Sequence, residues 1–547
     1  MRHLIIGLIF LIGCTAEPAR QALRPQAAPQ RVGEALSNLN HPVSTTSARA
    51  QRHFDDGLTL VYAFNHDEAV KSFEKALAAD PKLAMAHWGI ALAVGPNYNV
   101  DVDAEREKQG YDEIQKAAAL AKEAPQQEKD YIAALARRFS NADKPDYKKL
   151  AADYAVAAGE LAKKYPDDLD AQTLYADAMM NLRPWALYTS ANEPVEGTAT
   201  IVSTLEQVLK RDPDHLGACH LYIHAVEASK QPHRALEAAA RLPGLAPDCG
   251  HLVHMPSHIY SRVGDYESAV TSNEAAVDVD RVYLGKNPEM KTRTYGMMYF
   301  PHNVHFLAYA ESWQGNRAAA MKWAQQLYDL AAPHVTHMPM LEAFTAVPIA
   351  LEVKFRRWDD ILASSSPDQK TMPITSAMHH FARGMALASK GNLADARRER
   401  EQLAAIESSL PADAMMGMLN KAHHVLDIAS RTLDAKIASE EKRWSDAKRL
   451  LREAAKLEDT LTYMEPPDWL MPTREALGGV LLQAGRAAEA EKVFREDLDR
   501  GPRNARSLFG LVKALEAQKK SYEADLVRRE FEAAWKNADS KLVVEDL

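Results

Sequence analysis

From residue 51 to about residue 540 the chain alternates apolar stretches rich in Ala and Leu with short polar breaks, and the breaks share one pattern. It recurs in Phe64-Asn65-His66-Asp67-Glu68-Ala69-Val70, Val263-Gly264-Asp265-Tyr266-Glu267-Ser268-Ala269-Val270 and Gln314-Gly315-Asn316-Arg317-Ala318-Ala319-Ala320. Lys390-Gly391-Asn392-Leu393-Ala394-Asp395-Ala396 and Ala484-Gly485-Arg486-Ala487-Ala488-Glu489-Ala490 repeat it. Each has a Gly or similar breaker that ends one helix, a polar residue that starts the next, and an Ala where two helices approach closely. Several units close with Asp80-Pro81, Asp212-Pro213 or Gly501-Pro502, where Pro cannot continue a helix but can open one. The pattern predicts a series of helical hairpins and requires no strand.

This grammar resembles the tetratricopeptide repeat, a hairpin of about 34 residues that stacks into a right-handed superhelix. Similar turns at Lys230, Arg356 and Lys442 bring the expected count to roughly eight or nine units. The 547 residues exceed what one compact core usually spans, whereas the core of a stacked array grows with each unit. A composition 46% hydrophobic but only 7% aromatic favours helix over sheet. The expected fold class is all-α, a tetratricopeptide-type solenoid, with hairpins in three blocks at 51–200, 201–345 and 346–547.

The amino terminus changes the expected location. Met1-Arg2-His3 and the apolar run Leu4 to Gly13 form a charged start and a hydrophobic core too short to span a bilayer, which reads as an export signal over 1–13. Leu11-Ile12-Gly13-Cys14 resembles the bacterial lipobox, which implies a diacylated Cys14 and a lipoprotein on the periplasmic side of a membrane. Residues 14–50, rich in Pro, Ala, Gln and Arg, read as a flexible tether. Cys219 and Cys249 remain, and an exported compartment would permit a disulfide that spacing alone does not decide. A net charge of −9 supplies no basic footprint for nucleic acid.

The histidines change the chemistry. Nine of the twenty lie between His215 and His305. Residues equally far from successive hairpin turns occupy equivalent places on successive helices, and the turns here are Lys230, Gly264 and Gly315. Ten residues back stand His220, His254 and His305; six back, His224, His258 and Tyr309; thirteen back, Gly217, His251 and His302. These offsets share one helical face, which in tetratricopeptide domains lines the concave groove.

The set predicts a metal site. His220 and His224 are one turn apart, a spacing at which two imidazoles grip one ion, and Glu227 continues their face as a ligand, an orienter of a ligand or a general base. Pro256 suggests that a helix begins there, so that His254 enters from the loop, while His302 and His305 follow Pro301 in a first turn. His334-Val335-Thr336-His337-Met338-Pro339 repeats the pattern of His251-Leu252-Val253-His254-Met255-Pro256, either as further ligands or as a shared helix-entry device. His379-His380 and His423-His424 sit off the register and are read as core or surface residues. Imidazoles without thiolate suit copper, iron or zinc, in one site or two. Tyr222, Tyr260, Tyr299 and Tyr309 lie near enough in sequence to orient a substrate, although packing is their ordinary role.

The stretches from His215 to Ser229, Gly250 to His258 and Tyr299 to Phe306 resemble an uncharacterised family of bacterial tetratricopeptide-repeat lipoproteins. Ala86-His87-Trp88-Gly89-Ile90-Ala91-Leu92, Gly95-Pro96-Asn97-Tyr98-Asn99 and Glu465-Pro466-Pro467-Asp468-Trp469 fit the same resemblance. It implies the fold and adds no reaction. Phosphate-loop, dinucleotide and Gly-x-Ser-x-Gly motifs are missing, so any chemistry is expected at the metal, as hydrolysis or oxidation. The alternatives are a membrane-tethered scaffold whose groove binds a peptide or protein, and a metal that only staples the repeats together.

Overall fold

In a computed structural model, the described residues are 35–101 and 103–547. Cys14, the export signal and most of the tether lie outside them. The first hairpins pair α1 (Ala48–Tyr62) with α2 (His66–Ala79), α3 (Ala84–Val94) with α4 (Ala104–Leu120), α5 (Gln126–Leu135) with α6 (Tyr147–Lys164) and α7 (Leu169–Met180) with α8 (Thr198–Arg211). In the middle, α9 (Leu216–Glu227) pairs with α10 (Leu236–Leu245). The short α11 (Gly250–His254) and α12 (Pro256–Arg262) pair together with α13 (Tyr266–Lys286), and α14 (Phe300–Trp313) with α15 (Arg317–Ala331). After the single turn α16 (Glu342–Thr345) come α17 (Val347–Lys354) with α18 (Trp358–Ala363), α19 (Pro373–Ser389) with α20 (Leu393–Ser409) and α21 (Ala422–Glu440) with α22 (Trp444–Glu458). The last pairs are α23 (Thr473–Gln483) with α24 (Ala487–Arg500) and α25 (Ala505–Ala517) with α26 (Ser521–Ala534).

The chain is therefore an all-α solenoid of tetratricopeptide type, with twelve hairpins among the described residues rather than eight or nine. The extra units fall where the turn grammar is silent: α3–α4, α5–α6 and α7–α8 are joined by longer connections. One small sheet was not expected, in which β1 (Met415–Met416) pairs antiparallel with β2 (Asn420–Lys421).

The predicted turns other than Lys230 carry the left-handed backbone conformation that ends a helix. Gly264, Gly315, Gly391 and Gly485 have φ of 71° to 81°, the left-handed region that glycine enters without a Cβ penalty. Phe64, Arg356 and Lys442 occupy the same region, with φ of 53° to 58°, and for a bulky side chain that is strain. The polar residue after the turn then caps the next helix: Asp265 accepts from the Ser268 amide and Asn316 from the Ala319 amide.

Packing between hairpins uses small residues against aromatic ones. Ideal Cβ atoms on Gly57 and Gly89 would lie 2.6 and 2.4 Å from the Phe73 ring, so that ring is held between two glycines on consecutive inner helices. Phe494 repeats the arrangement between Gly478 and Gly510. One apolar cluster runs from Val43 to Leu351 and takes in Leu470, and a second begins at Ala346 and reaches Trp469. No helix among the described residues is long and apolar enough to cross a membrane.

Residues 35–47 depart from the tether expected there. The Leu36 and His41 amides donate to Asp56 and Asp55, and Ser44 Oγ donates to Glu128 at 2.7 Å, which ties this segment onto α1 and α5. Its polar composition conceals partners that are distant in sequence. The array also closes on itself. The Arg317 and Ala318 amides donate to Asp539, each at 2.9 Å, and the Gly264 turn lies against Pro502.

Candidate metal centre

Every residue of α9 is buried, because the helix is apolar on all sides and is surrounded by hairpins. His220, His224, His251, His254 and His258 have relative exposures of 0 to 2%. The histidine face therefore does not line an open groove, as expected from the repeat; it is largely enclosed, with His302 half-buried. Phe64, at the strained first turn, closes one end, its ring centroid 4.5 Å from that of His220 and 5.5 Å from that of His251. Tyr98 and Trp185 stand 5.3 and 5.8 Å from His224, Tyr299 4.8 Å from His251 and Phe306 4.8 Å from His254.

Six of the seven predicted histidines come together. Ligand-capable atoms of His220, His224 and His251 lie within 4.8 Å of one another, as do those of His254, His258 and His302. His305 does not join them; it is buried against Phe344, 5.6 Å between rings. The equivalence by turn offset fails here because the helices approach the centre from different sides. Offsets ten and six reach it on α9, all three on α11 and α12, and only thirteen on α14. Gly217 is not available for a ligand either, since a Cβ there would meet the Tyr62 ring at 2.7 Å.

Most rings are oriented by a hydrogen bond from Nδ1. His220 donates to the Tyr62 carbonyl at 2.6 Å, His224 to Glu227 Oε1 at 3.0 Å and His258 to Glu227 Oε2 at 2.7 Å. His254 donates to Asn273 Oδ1 at 2.6 Å, and the Asn273 amide faces that way because its Nδ2 donates to the Ala269 carbonyl at 2.7 Å. Each of these bonds fixes the tautomer and leaves Nε2 as the available donor atom, the arrangement found around metal-bound imidazoles. His220 Nε2, His224 Nε2 and both nitrogens of His251 are buried with no partner among the described residues. His254 Nε2 and His258 Nε2 face each other at 2.8 Å.

Glu227 thus orients both His224 and His258, with each of its oxygens engaged by one of the rings. Ligand-capable atoms of His224, Glu227 and His258 also lie within 4.8 Å of one another, but Nδ1 of both rings is already hydrogen-bonded to that carboxylate. Burial would raise the Glu227 carboxyl, yet the charges and hydrogen bonds of His224 and His258 hold it down at about 2. Burial would likewise lower His258, but Glu227 and Glu465 hold it up at about 10. His220, His251, His254 and His302 are driven well below the ordinary imidazole value by burial and then by neighbouring imidazoles.

The sequence reading missed several contributors. Glu465 Oε2 lies 2.9 Å from His258 Nδ1, and burial pushes that carboxyl up to about 7. Its only signal was its place in the Glu-Pro-Pro-Asp-Trp stretch. Asn273 and the Tyr62 carbonyl carried none. Pro256 breaks the backbone ladder without making a loop: His254 ends α11, Met255 keeps helical angles, and α12 follows at once. His334 and His337 stand apart from the centre, as do His379, which contacts Ser364, and His380, which contacts Glu399. His423 meets the Pro411 carbonyl. Cys219 and Cys249 are buried thiols and form no disulfide, Cys219 Sγ donating to the Pro213 carbonyl instead.

Another group that could hold an ion by distance is His41, Asp168 and Asp170. Its carboxylates already have donors: Asp170 accepts from His41 Nδ1 and the Tyr62 hydroxyl, each at 2.7 Å, and Asp168 from the Tyr131 hydroxyl at 2.6 Å. It is a fastening for residues 35–47.

Beside the centre lies a cavity of about 1540 Å³. Tyr260, Arg262, Tyr309, Trp313 and Trp469 line it, and Glu465 belongs both to its wall and to the surroundings of His258. Tyr222 points elsewhere, donating to Glu206. Tyr299 packs on His251 and its hydroxyl accepts from Asn99 at 3.2 Å.

Comparison with known proteins supports the repeat. The tetratricopeptide repeat is matched at residues 57–83, from the second half of α1 through α2 and the connection that leads to α3. No curated protein matches the chain. Among solved structures, the human IFIT1 dimer with m7Gppp-AAAA is 12% identical and covers 90% of this chain and 91% of its own at a TM-score of 0.33. Yeast Tom70 is 12% identical over 88% of this chain and 90% of its own, at a TM-score of 0.27. The P58(IPK) domain is 14% identical over 87% and 99%, at a TM-score of 0.23.

Proposed function

We propose that this protein is an exported, lipid-anchored solenoid whose interior binds transition-metal ions through His220, His224, His251, His254, His258 and His302, and that its chemistry takes place at that centre. The observation that carries the reading is the set of unpartnered nitrogens on His220, His224 and His251. A buried polar atom without a partner costs about 1–3 kcal/mol, and three rings sharing that deficit at one point are matched by an ion that accepts all three lone pairs. When bound, such an ion supplies a Lewis acid or a redox partner. The chain's own part is to fix the tautomers, exclude water with Phe64, Tyr98, Trp185 and Phe306, and admit a ligand to the adjoining cavity.

The test is metal analysis of protein purified without a His tag, beside a variant with His220, His224 and His254 changed to Ala. About one metal ion or more per chain in the parent, lost in the variant, is expected. Less than a tenth of an equivalent of any transition metal, with no uptake on reconstitution, overturns the reading.

The cavity favours a second reading, a docking platform for a peptide or protein. Its mixed wall of aromatic, cationic and carboxylate side chains suits an extended peptide. Peptide-array binding that survives the triple substitution would support it.

A further inference from the structure

The way the nitrogens divide goes beyond the presence of a metal. We infer that the centre is a pair of adjoining three-histidine sites, His220–His224–His251 and His254–His258–His302, that together hold two copper ions. The inference rests on the metal-centre reading above and adds the number and kind of ion.

Six imidazoles exceed what one four-coordinate ion uses, and their ligand atoms divide three and three. In the first triad, the atoms left without partners are His220 Nε2, His224 Nε2 and those of His251. In the second, His254 Nε2 and His258 Nε2 converge at 2.8 Å while their Nδ1 atoms are committed to Asn273 and Glu227. Two nitrogens about 2.0–2.1 Å from one three-coordinate ion stand about 3.5 Å apart, so the two rings must part by less than about 1 Å to admit it. The convergence therefore needs little rearrangement to become a chelate.

The triads adjoin. Ring centroids are 5.6 Å apart for His224 and His258 and 5.8 Å apart for His251 and His254. Glu227 accepts from one ligand of each triad, so the same carboxylate steadies both.

Ligand type and charge select copper. Each triad offers three imidazole nitrogens and no thiolate or carboxylate; catalytic zinc can use the same three histidines, and the scarcity of negative groups is what favours copper. The carboxylates paired with these rings among the described residues are Glu227 and Glu465. A cuprous ion carries half the charge of a divalent one, so fewer carboxylates are needed beside it in an aromatic site. Cuprous copper is also content with three nitrogen ligands.

The experiment is an anaerobic titration of the metal-free full chain with a cuprous salt, followed by copper and protein determination after gel filtration. Two copper ions per chain are expected, with one remaining in His251→Phe and one in His302→Phe. After oxidation, the two cupric ions are close enough to couple, so the integrated paramagnetic resonance signal is expected below half of the copper present. A parent stoichiometry of one, or two ions with the full signal, overturns the adjoining pair but leaves the metal centre standing. Exclusive retention of zinc or iron overturns the copper assignment. Failure to bind any metal overturns both readings. The parent protein decides among these outcomes even where a variant fails to fold.

Discussion

Glu227 accepts Nδ1–H bonds from His224 and His258, at 3.0 and 2.7 Å, through its two separate oxygens. A glutamine can accept only one of them, because its amide nitrogen is itself a donor. Glu227→Gln should leave one of these rings without its orienting acceptor. The expected result is a metal affinity lower by about 10–100-fold, with the fold retained, measured by competition with a chromogenic chelator.

Metal uptake should release a proton. With His258 held at about 10, it is protonated at neutral pH in the metal-free protein, and its Nε2–H points at His254 Nε2. His254 is already neutral, its value being driven down by burial and by His258. An ion entering between them displaces one proton. Below pH 10 the affinity should therefore rise about tenfold for each pH unit until other groups titrate. Calorimetry in buffers of different ionisation enthalpy measures this, and an affinity flat between pH 7 and 9 would contradict it.

Phe64 combines packing with strain, at φ 54° and with its ring on His220. Phe64→Ala should destabilise the protein by about 3–5 kcal/mol through lost burial. Phe64→Gly loses the same ring but relieves the left-handed backbone. It should be the more stable of the two variants by about 1 kcal/mol in urea unfolding, the reverse of the usual order of Ala and Gly in helices.

Gly217 tests the packing that holds His220. An added methyl group meets the Tyr62 ring, and the Tyr62 carbonyl is the acceptor for His220 Nδ1. Gly217→Ala should lower stability by about 1–3 kcal/mol and weaken metal binding together, read by thermal unfolding with and without metal.

For the location proposed above, Cys14→Ser should abolish incorporation of labelled fatty acid and release the chain from the membrane fraction. Labelling that persists in the variant would refute lipidation at that residue.

The local parts of this molecule were legible, and the convergent parts were not. Gly264, Gly315, Gly391 and Gly485 announce their turns because a positive φ selects glycine at once. Phe64, Arg356 and Lys442 share that conformation with no such mark, and were readable only by alignment to the others. Six of the histidines were located by counting back from these turns, since a helix converts offset into direction. His305 shows where counting ends: its offset matches those of His220 and His254, but α14 meets the centre at a different rotation. Glu465 lies more than two hundred residues from His258, and only the closure of the array brings the two together.

That closure alters how the array can come apart. In an open solenoid each repeat answers only to its neighbours, and a defect at one end stays there. Here Asp539 holds the amides that begin α15, and Trp535 covers the Gly315 turn, so the last hairpin is the clasp of a ring. Breaking that clasp uncovers the Gly315 turn and the start of α15 at once, so a defect at the end of the chain is felt in the middle of the array.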